Sequence, residues 1–299
     1  EGIKDGQLKV TGTHITDRDG NIVMLRGVST HGLNWYPEYA NADALKTLKE
    51  DWNVNLIRLA LYTDGSDGYC SLPDNKRADL RNLIDNAVVS ATEMGMYVII
   101  DWHILQDGDP NKHIGEAKEY FTYLAEKYQN NTNVIYEICN EPNGNTSWAD
   151  IRKYAEQIIP IIREKTDAVI IVGTPEWSQD VDAAAEDPLD YDNIVYALHF
   201  YAATHKTQLQ DKLDSAFKKG LPVFVSEFGI CDASGNGTID KDSADTWMSI
   251  LKEDGIGSCI WNLSNKNEAS ALIDPYCTKT SGWKYDELST EGKWYYDRK

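Results

Sequence analysis

Phenylalanine is scarce in this chain, with 5 in 299 residues, and methionine scarcer, with 4. Long apolar stretches are missing altogether. The longest candidates, such as Val169 to Val172, are strand-sized, far below the roughly 20 residues that span a bilayer, so no membrane-spanning helix is expected. Basic residues are also short: 29 Lys+Arg stand against 48 Asp+Glu, a formal net charge of −19. Such a surface repels phosphate backbones and anionic lipid heads, which argues against nucleic acid and membrane partners. The 5 cysteines (Cys70, Cys139, Cys231, Cys259, Cys277) include no CxxC pair, and the 6 histidines no HExxH, so the sequence offers no patterned zinc or redox site. Cys139 and Cys259 lie in apolar runs and read as small core residues, whereas Cys70 and Cys277 sit in polar loops where a bridge is left open. Residues 232 to 238 imitate the start of a calcium loop, but the twelfth position is Ser243 and not Glu, so a Gly-rich turn is expected. The chain opens Glu1-Gly2-Ile3 without an initiator Met or an apolar leader segment and is expected to be processed or trimmed.

What is abundant is tyrosine and tryptophan, 17 and 9. Both rings carry a hydrogen-bonding end, the composition of clefts that stack sugars. Eight short β-rich runs recur, Met24 to Ser29, Asn55 to Tyr62, Tyr97 to Ile104, Val134 to Glu141, Val169 to Thr174, Asn193 to Tyr201, Pro222 to Gly229 and Gly257 to Ser264. Helix-period segments such as Arg77 to Met94, Gly115 to Gln129, Ser147 to Lys165 and Asp242 to Asp254 lie between them. Successive starts fall about 33 residues apart, the length of a βα unit with a right-handed crossover. Most of the runs are apolar on both faces, as expected for parallel strands covered by helices. Eight units predict an α/β fold of the (β/α)8, or TIM-barrel, class. A doubly wound open sheet is the alternative, but no GxGxxG or GxxxxGK[ST] follows any strand. Leu8 to Val10 and Thr13 to Thr16 read as an N-terminal hairpin, within about residues 7 to 22, that plugs the bottom of the barrel. No Pro- or Ser-rich linker interrupts the chain, so one domain is expected over residues 1 to 299.

In such barrels the chemistry sits at the C-terminal strand ends. Polar residues cluster there: Arg58; Asp101-Trp102-His103; Asn140-Glu141-Pro142; His199-Phe200-Tyr201; Ser226-Glu227; Trp261-Asn262. Glu141 and Glu227 end apolar runs four and seven, where a charge is costly unless it faces a cleft, and those positions look across the mouth of an eight-strand ring. Two carboxylates flanking one ligand are what glycoside hydrolysis requires. Glu137 is the rival carboxylate. Four residues before Glu141, it should lie about 13 Å deeper at the strand rise, as a buried partner of an ion pair.

The segments Ile138-Cys139-Asn140-Glu141-Pro142-Asn143-Gly144 and Val225-Ser226-Glu227-Phe228-Gly229 resemble the two signatures of glycoside hydrolase family 5, in particular its bacterial endoglucanases. Ser29 to Trp35, Tyr196 to Tyr201 and Trp261 to Lys266 extend the resemblance over nearly the whole barrel. It implies a retaining endo-β-1,4-glucanase, secreted, monomeric and free of cofactor or metal, whose partner is a β-glucan polysaccharide. Glu141 would be the acid/base and Glu227 the nucleophile. Arg58 and Tyr201 would keep Glu227 ionised, while Glu141, without a cation of its own, holds its proton. Asn140 would bind the sugar 2-hydroxyl, His103 and His199 would orient these groups, and Trp261 would form the floor beneath the reacting ring, joined to Asn262 by a non-proline cis peptide. His31, Trp35, Tyr62, Trp177, His205, Lys266 and Glu268 would line the groove. A β-mannanase, a xylan- or xyloglucan-acting relative, or a non-catalytic carbohydrate-binding barrel are the alternatives.

Overall fold

A computed structural model describes residues 6 to 299. Eight parallel strands close into a barrel: β3 (Arg26–Thr30), β4 (Leu56–Tyr62), β5 (Tyr97–His103), β6 (Val134–Glu137), β7 (Ile170–Val172), β8 (Ile194–Tyr201), β9 (Val223–Gly229) and β10 (Ser258–Leu263), the last pairing with both β9 and β3. Helices separate them, the larger being α1 (Ala42–Trp52), α2 (Asp74–Glu93), α3 (Ile114–Lys127), α4 (Trp148–Arg163), and two more over Thr207–Lys218 and Lys241–Asp254. This is the expected (β/α)8 barrel. The strands of runs four and five are shorter than the apolar runs suggest, because regular pairing ends at Glu137 and at Val172.

Strand alternation sorts the side chains into two layers. On β4, Ile57, Leu59 and Leu61 join Val98, Ile100 and Trp102 of β5 in the large core under the helices. Leu56, Tyr97, Ile99, Ile135, Ile171, Val195, Phe224 and Cys259 form a second cluster inside the barrel. The hairpin β1 (Lys9–Thr11) and β2 (His14–Thr16) pairs antiparallel. With Leu8, Ile15, Val23 and Leu25 it completes that inner cluster, closing the end of the barrel away from the strands' C-termini. Climbing the same inward parity, the residues become polar: Arg58 above Leu56, Asp101 above Ile99, Glu137 above Ile135, His199 above Ala197. An apolar floor therefore carries a charged storey, and the rim above holds Tyr62, His103, Tyr201 and Trp261.

Two irregularities adjust this scheme. Opposite Ala197 and His199 of β8, β9 places Phe224 and Glu227, three residues against two, a bulge. Between Trp261 and Leu263 the register with β3 also shifts, and the Trp261–Asn262 peptide is cis, as the resemblance implies. The five cysteines are unpaired, with Cys139 and Cys259 buried. The Asp232 segment is a turn in which the Asp232 carboxylate accepts the Ser234 amide N–H.

Candidate active site

Arg58 is the hub of the charged storey and is fully buried. Its Nε and Nη2 donate to the two oxygens of Glu137 at 2.8 and 3.2 Å, and Nη1 donates to Glu227 Oε1 at 2.9 Å. Nη2 also reaches Asn140 Oδ1 at 2.7 Å and Asp101 Oδ2 at 3.2 Å. A buried guanidinium is tolerable only with such partners. Glu137 is thus the expected ion-pair residue, but it is not remote from Glu141. Both carboxylates reach the His199 ring, Glu141 Oε2 at 2.7 Å from Nδ1 and Glu137 Oε2 at 3.8 Å from Nε2. The rise of about 13 Å separates backbone positions, and the two side chains meet on opposite nitrogens of the ring between them.

The contact with Glu141 corrects one expectation, that Glu141 has no cation of its own. His199 is that partner. Its Nε2 bonds Ser226 Oγ at 2.7 Å, and the Ser226 hydroxyl donates to Glu137 at 2.7 Å. Burial disfavours the imidazolium, yet the bonds to Glu137 and Glu141 raise the ring to about 9. Glu141 is still held above the usual carboxylate range, since burial and the Glu227 charge outweigh His199. Glu227 moves the other way. Burial pushes it up, but His199, Arg58 and His103 and the Tyr201 hydroxyl, donating at 2.7 Å, hold it below the usual range. Two carboxylates with pKa values driven apart are the pattern of an acid beside an ionised base or nucleophile. One oxygen of each lies within 4.8 Å of the other.

His103 Nδ1 bonds Asp101 at 2.6 Å, which leaves Nε2 to accept from Asn140 Nδ2 at 3.1 Å. The second Nδ2 hydrogen goes to the Ile104 carbonyl at 3.0 Å, so Asn140 is fully engaged and buried beneath the opening. His103 in turn stacks on Trp261, ring centroids 5.3 Å apart at 18°.

Above these groups lie two adjoining hollows of about 240 and 470 Å³. Glu141, Trp177 and Tyr201 border both; His31, Tyr62, His103, Glu227, Trp261, Lys266 and Glu268 line the first, and His199 and His205 the second. Burial, Lys266 and His103 lower His31 to about 3, so it is a neutral ring. Lys266 bonds Glu268 at 3.2 Å. The His205 Nδ1 accepts the Tyr201 amide N–H at 2.8 Å and braces the strand end. Trp177 is 44% exposed on the turn α5 (Pro175–Ser178), where Glu176, Trp177 and Ser178 all have φ between 56 and 58°. Three non-glycine residues in the left-handed region cost on the order of 1 to 3 kcal/mol each, a strain concentrated where a ring must be presented. Trp35, 42% exposed, borders neither hollow; it packs edge-on against Tyr62 and donates to Asp67 at 3.2 Å. Asp101 and Ser226 stand among the polar strand ends without a role read from sequence, and Ser29, whose hydroxyl accepts from Arg58 Nη1 at 3.3 Å, had none either. Asp101 carried a usable signal, standing two residues before His103 on the same strand face.

Residues 16–267 match the family Cellulase (glycosyl hydrolase family 5). Endoglucanase A of Butyrivibrio fibrisolvens is 50% identical over 98% of the chain and 68% of that protein. An endoglucanase of Clostridium saccharobutylicum is 46% identical over 96% of the chain and 63% of its own length. The chain thus spans about two thirds of the curated relatives it matches. Among solved structures, Cellulase Cel5C_n superposes with a TM-score of 0.94 at 42% identity, covering 99% of this chain and 92% of that one. The catalytic domain of Thermobifida fusca endoglucanase Cel5A, solved as a variant with cellotetraose, gives 0.90 at 38% identity, covering 99 and 97%.

Proposed function

The chain belongs to glycosyl hydrolase family 5, and from that membership we propose that it is an endo-β-1,4-glucanase that cleaves internal bonds of cellulose or mixed-linkage β-glucan with retention at the anomeric carbon. The observation that carries this reading is the pair Glu141 and Glu227, facing each other within 4.8 Å with pKa values shifted in opposite directions. Retaining enzymes hold their carboxyl groups about 5 to 5.5 Å apart, inverting ones about 6.5 to 9.5 Å.

In the first step Glu227 attacks the anomeric carbon and the glycosidic bond breaks, its oxygen taking the Glu141 proton. His199 occupies Glu141 Oε2, which leaves Oε1 to carry that proton toward the leaving group. In the second step Glu141 removes a proton from water, which attacks the same carbon and releases Glu227. Arg58 and Tyr201 hold one oxygen each of Glu227, so its charge is stabilised before substrate arrives. Asn140 meets the sugar 2-hydroxyl by exchanging its His103 contact for it, a bond that tightens in the oxocarbenium-like transition state. Trp261 supplies the floor, and Trp177, Tyr62, His31, His205, Lys266 and Glu268 the groove, with Trp35 extending it along the rim. A neutral polymer suits a chain of net charge −19. The reading includes a single catalytic domain, a monomer without cofactor, acting outside the cell. Reducing-sugar release from carboxymethylcellulose, barley β-glucan, galactomannan and xylan tests it. Fast release from the first two is expected; a preference for galactomannan or xylan would reassign the substrate.

A further inference from the structure

On the rim, outside the two hollows, two loops bring a thiol, an imidazole and a carboxylate together. Cys70 belongs to the short turn Tyr69–Ser71 after β4, His113 closes the turn Pro110–His113 after β5, and Glu116 stands in the first turn of α3. One ligand atom from each lies within 4.8 Å of the other two, and all three residues are half-buried. His113 Nδ1 is 4.0 Å from Glu116 Oε2.

The other ring nitrogen is already committed. His113 Nε2 bonds Asp64 Oδ1 at 3.0 Å, while Lys112 Nζ takes Asp64 Oδ2 at 3.0 Å. With Lys112 on its other oxygen, Asp64 accepts from the ring, so Nε2 carries the hydrogen and the Nδ1 lone pair is left on the side of Glu116. A carboxylate gripping the far nitrogen is how proteins fix the tautomer and orientation of a metal-binding histidine.

We infer that Cys70, His113 and Glu116 form a binding site for a zinc-class divalent cation, with Asp64 orienting His113 and water completing a tetrahedron. The donor set selects the ion: a thiolate and an imidazole suit zinc, whereas calcium and magnesium take oxygen shells. Bonds of about 2.0 to 2.3 Å put ligand atoms about 3.5 Å apart, within reach of small side-chain rotations here. Burial, Glu116 and Asp107 push the Cys70 thiol up to about 12, so it stays protonated until a cation takes the proton's place and releases it to solvent. The ion would tie the loop after β4 to the loop after β5. Those loops are joined already by the Thr63 hydroxyl donating to Asp107 at 2.7 Å. It plays no part in bond cleavage.

Titration of EDTA-treated protein with cobalt(II) tests the site. One equivalent should generate thiolate-to-cobalt charge-transfer absorption that one equivalent of zinc abolishes, and zinc should raise Tm. Cys70→Ser should lack the band and bind zinc at least tenfold more weakly. Asp64→Asn should weaken binding by about 10 to 100-fold, the usual effect of losing an outer carboxylate. Glu116→Gln serves as a second ligand variant. Unchanged far-ultraviolet CD and hydrolysis would show that the variants are folded. Absence of the band in the parent protein, its persistence in Cys70→Ser, or zinc affinity unchanged in both ligand variants would overturn the assignment. So would zinc that abolishes hydrolysis without a thiolate band, the mark of binding to the Glu141, His199 and Glu227 cluster.

Discussion

Replacing Glu137 by Gln keeps the shape of the buried storey and removes one charge from it. Both oxygens of Glu137 are committed, Oε1 to Arg58 Nε and Oε2 to Arg58 Nη2 and Ser226. An amide supplies only one acceptor oxygen, so its NH2 must face either the guanidinium or the serine hydroxyl. Removing one partner of a buried ion pair costs about 3 to 5 kcal/mol. Arg58 keeps Glu227 and Asp101, which places Glu137→Gln at the low end, about 3 kcal/mol. For a chain of this length that is a Tm loss of about 6 °C. The variant also withdraws a group that raises His199, so the imidazolium that faces Glu141 should lose its proton at lower pH. The alkaline limb of the kcat/KM profile should then move toward acid, with the acid limb set by Glu227 shifting less. Thermal unfolding at pH 6 and a pH–rate profile on barley β-glucan measure both effects. A Tm within 1 °C of the parent protein, together with an unmoved alkaline limb, would refute the view that Glu137 balances the buried arginine and feeds the imidazole.

Stability itself should peak between about pH 4.5 and 6.5. His199 is raised from 6.5 to about 9 and Glu137 lowered from 4.5 to about 2. The His199 contribution is complete below pH 6.5 and is lost as pH climbs through 9; that of Glu137 is complete above pH 4.5 and is lost as pH falls through 2, each on the order of 3 kcal/mol. Chemical denaturation across pH 3 to 10 showing a flat profile would contradict it. Glu227→Ala should lose turnover, with azide restoring part of it as the α-glycosyl azide, whereas β-azide product would contradict a nucleophile on that face. Glu141→Gln should slow glucan far more than aryl glycosides with good leaving groups, since only the former needs protonation; equal losses on both substrates would remove the acid role. Trp177→Ala should raise KM for cello-oligosaccharides several-fold with little change in Tm, because the ring is half exposed; a Tm drop above about 5 °C would instead make it a packing residue.

The barrel was legible because its signal is periodic: eight apolar runs at near-even spacing leave few other ways to bury them. The polar strand ends were legible for a related reason, since Arg58, His103, Glu141, His199 and Glu227 each end or interrupt an apolar run where a polar group needs justification. What joins them was not. Glu137 meets Arg58 across two strands, and Ser226 meets His199 across the bulge, contacts that exist only once the ring has closed. The His199 ring that links Glu137 to Glu141 was hidden for the same reason, since it comes from a strand two places away in the ring. Cys70 and His113 lie 43 positions apart in polar loops, where no periodicity could connect them.

The bulge in β9 acts as a phase shifter. Counting from Phe224, strict alternation would aim residue 226 at the groove and residue 227 at the helices; the additional residue brings Glu227 opposite His199 and leaves Ser226 able to reach the same ring. Deleting Val225 would restore ordinary alternation with Glu227 still opposite His199, but it would move Ser226 into the outward place that Val225 holds. The additional residue therefore lets two successive side chains, Ser226 and Glu227, face the barrel. Strand exchange among related barrels that drops one residue between Phe224 and Glu227 would keep the nucleophile in place and lose the hydroxyl that bridges His199 and Glu137.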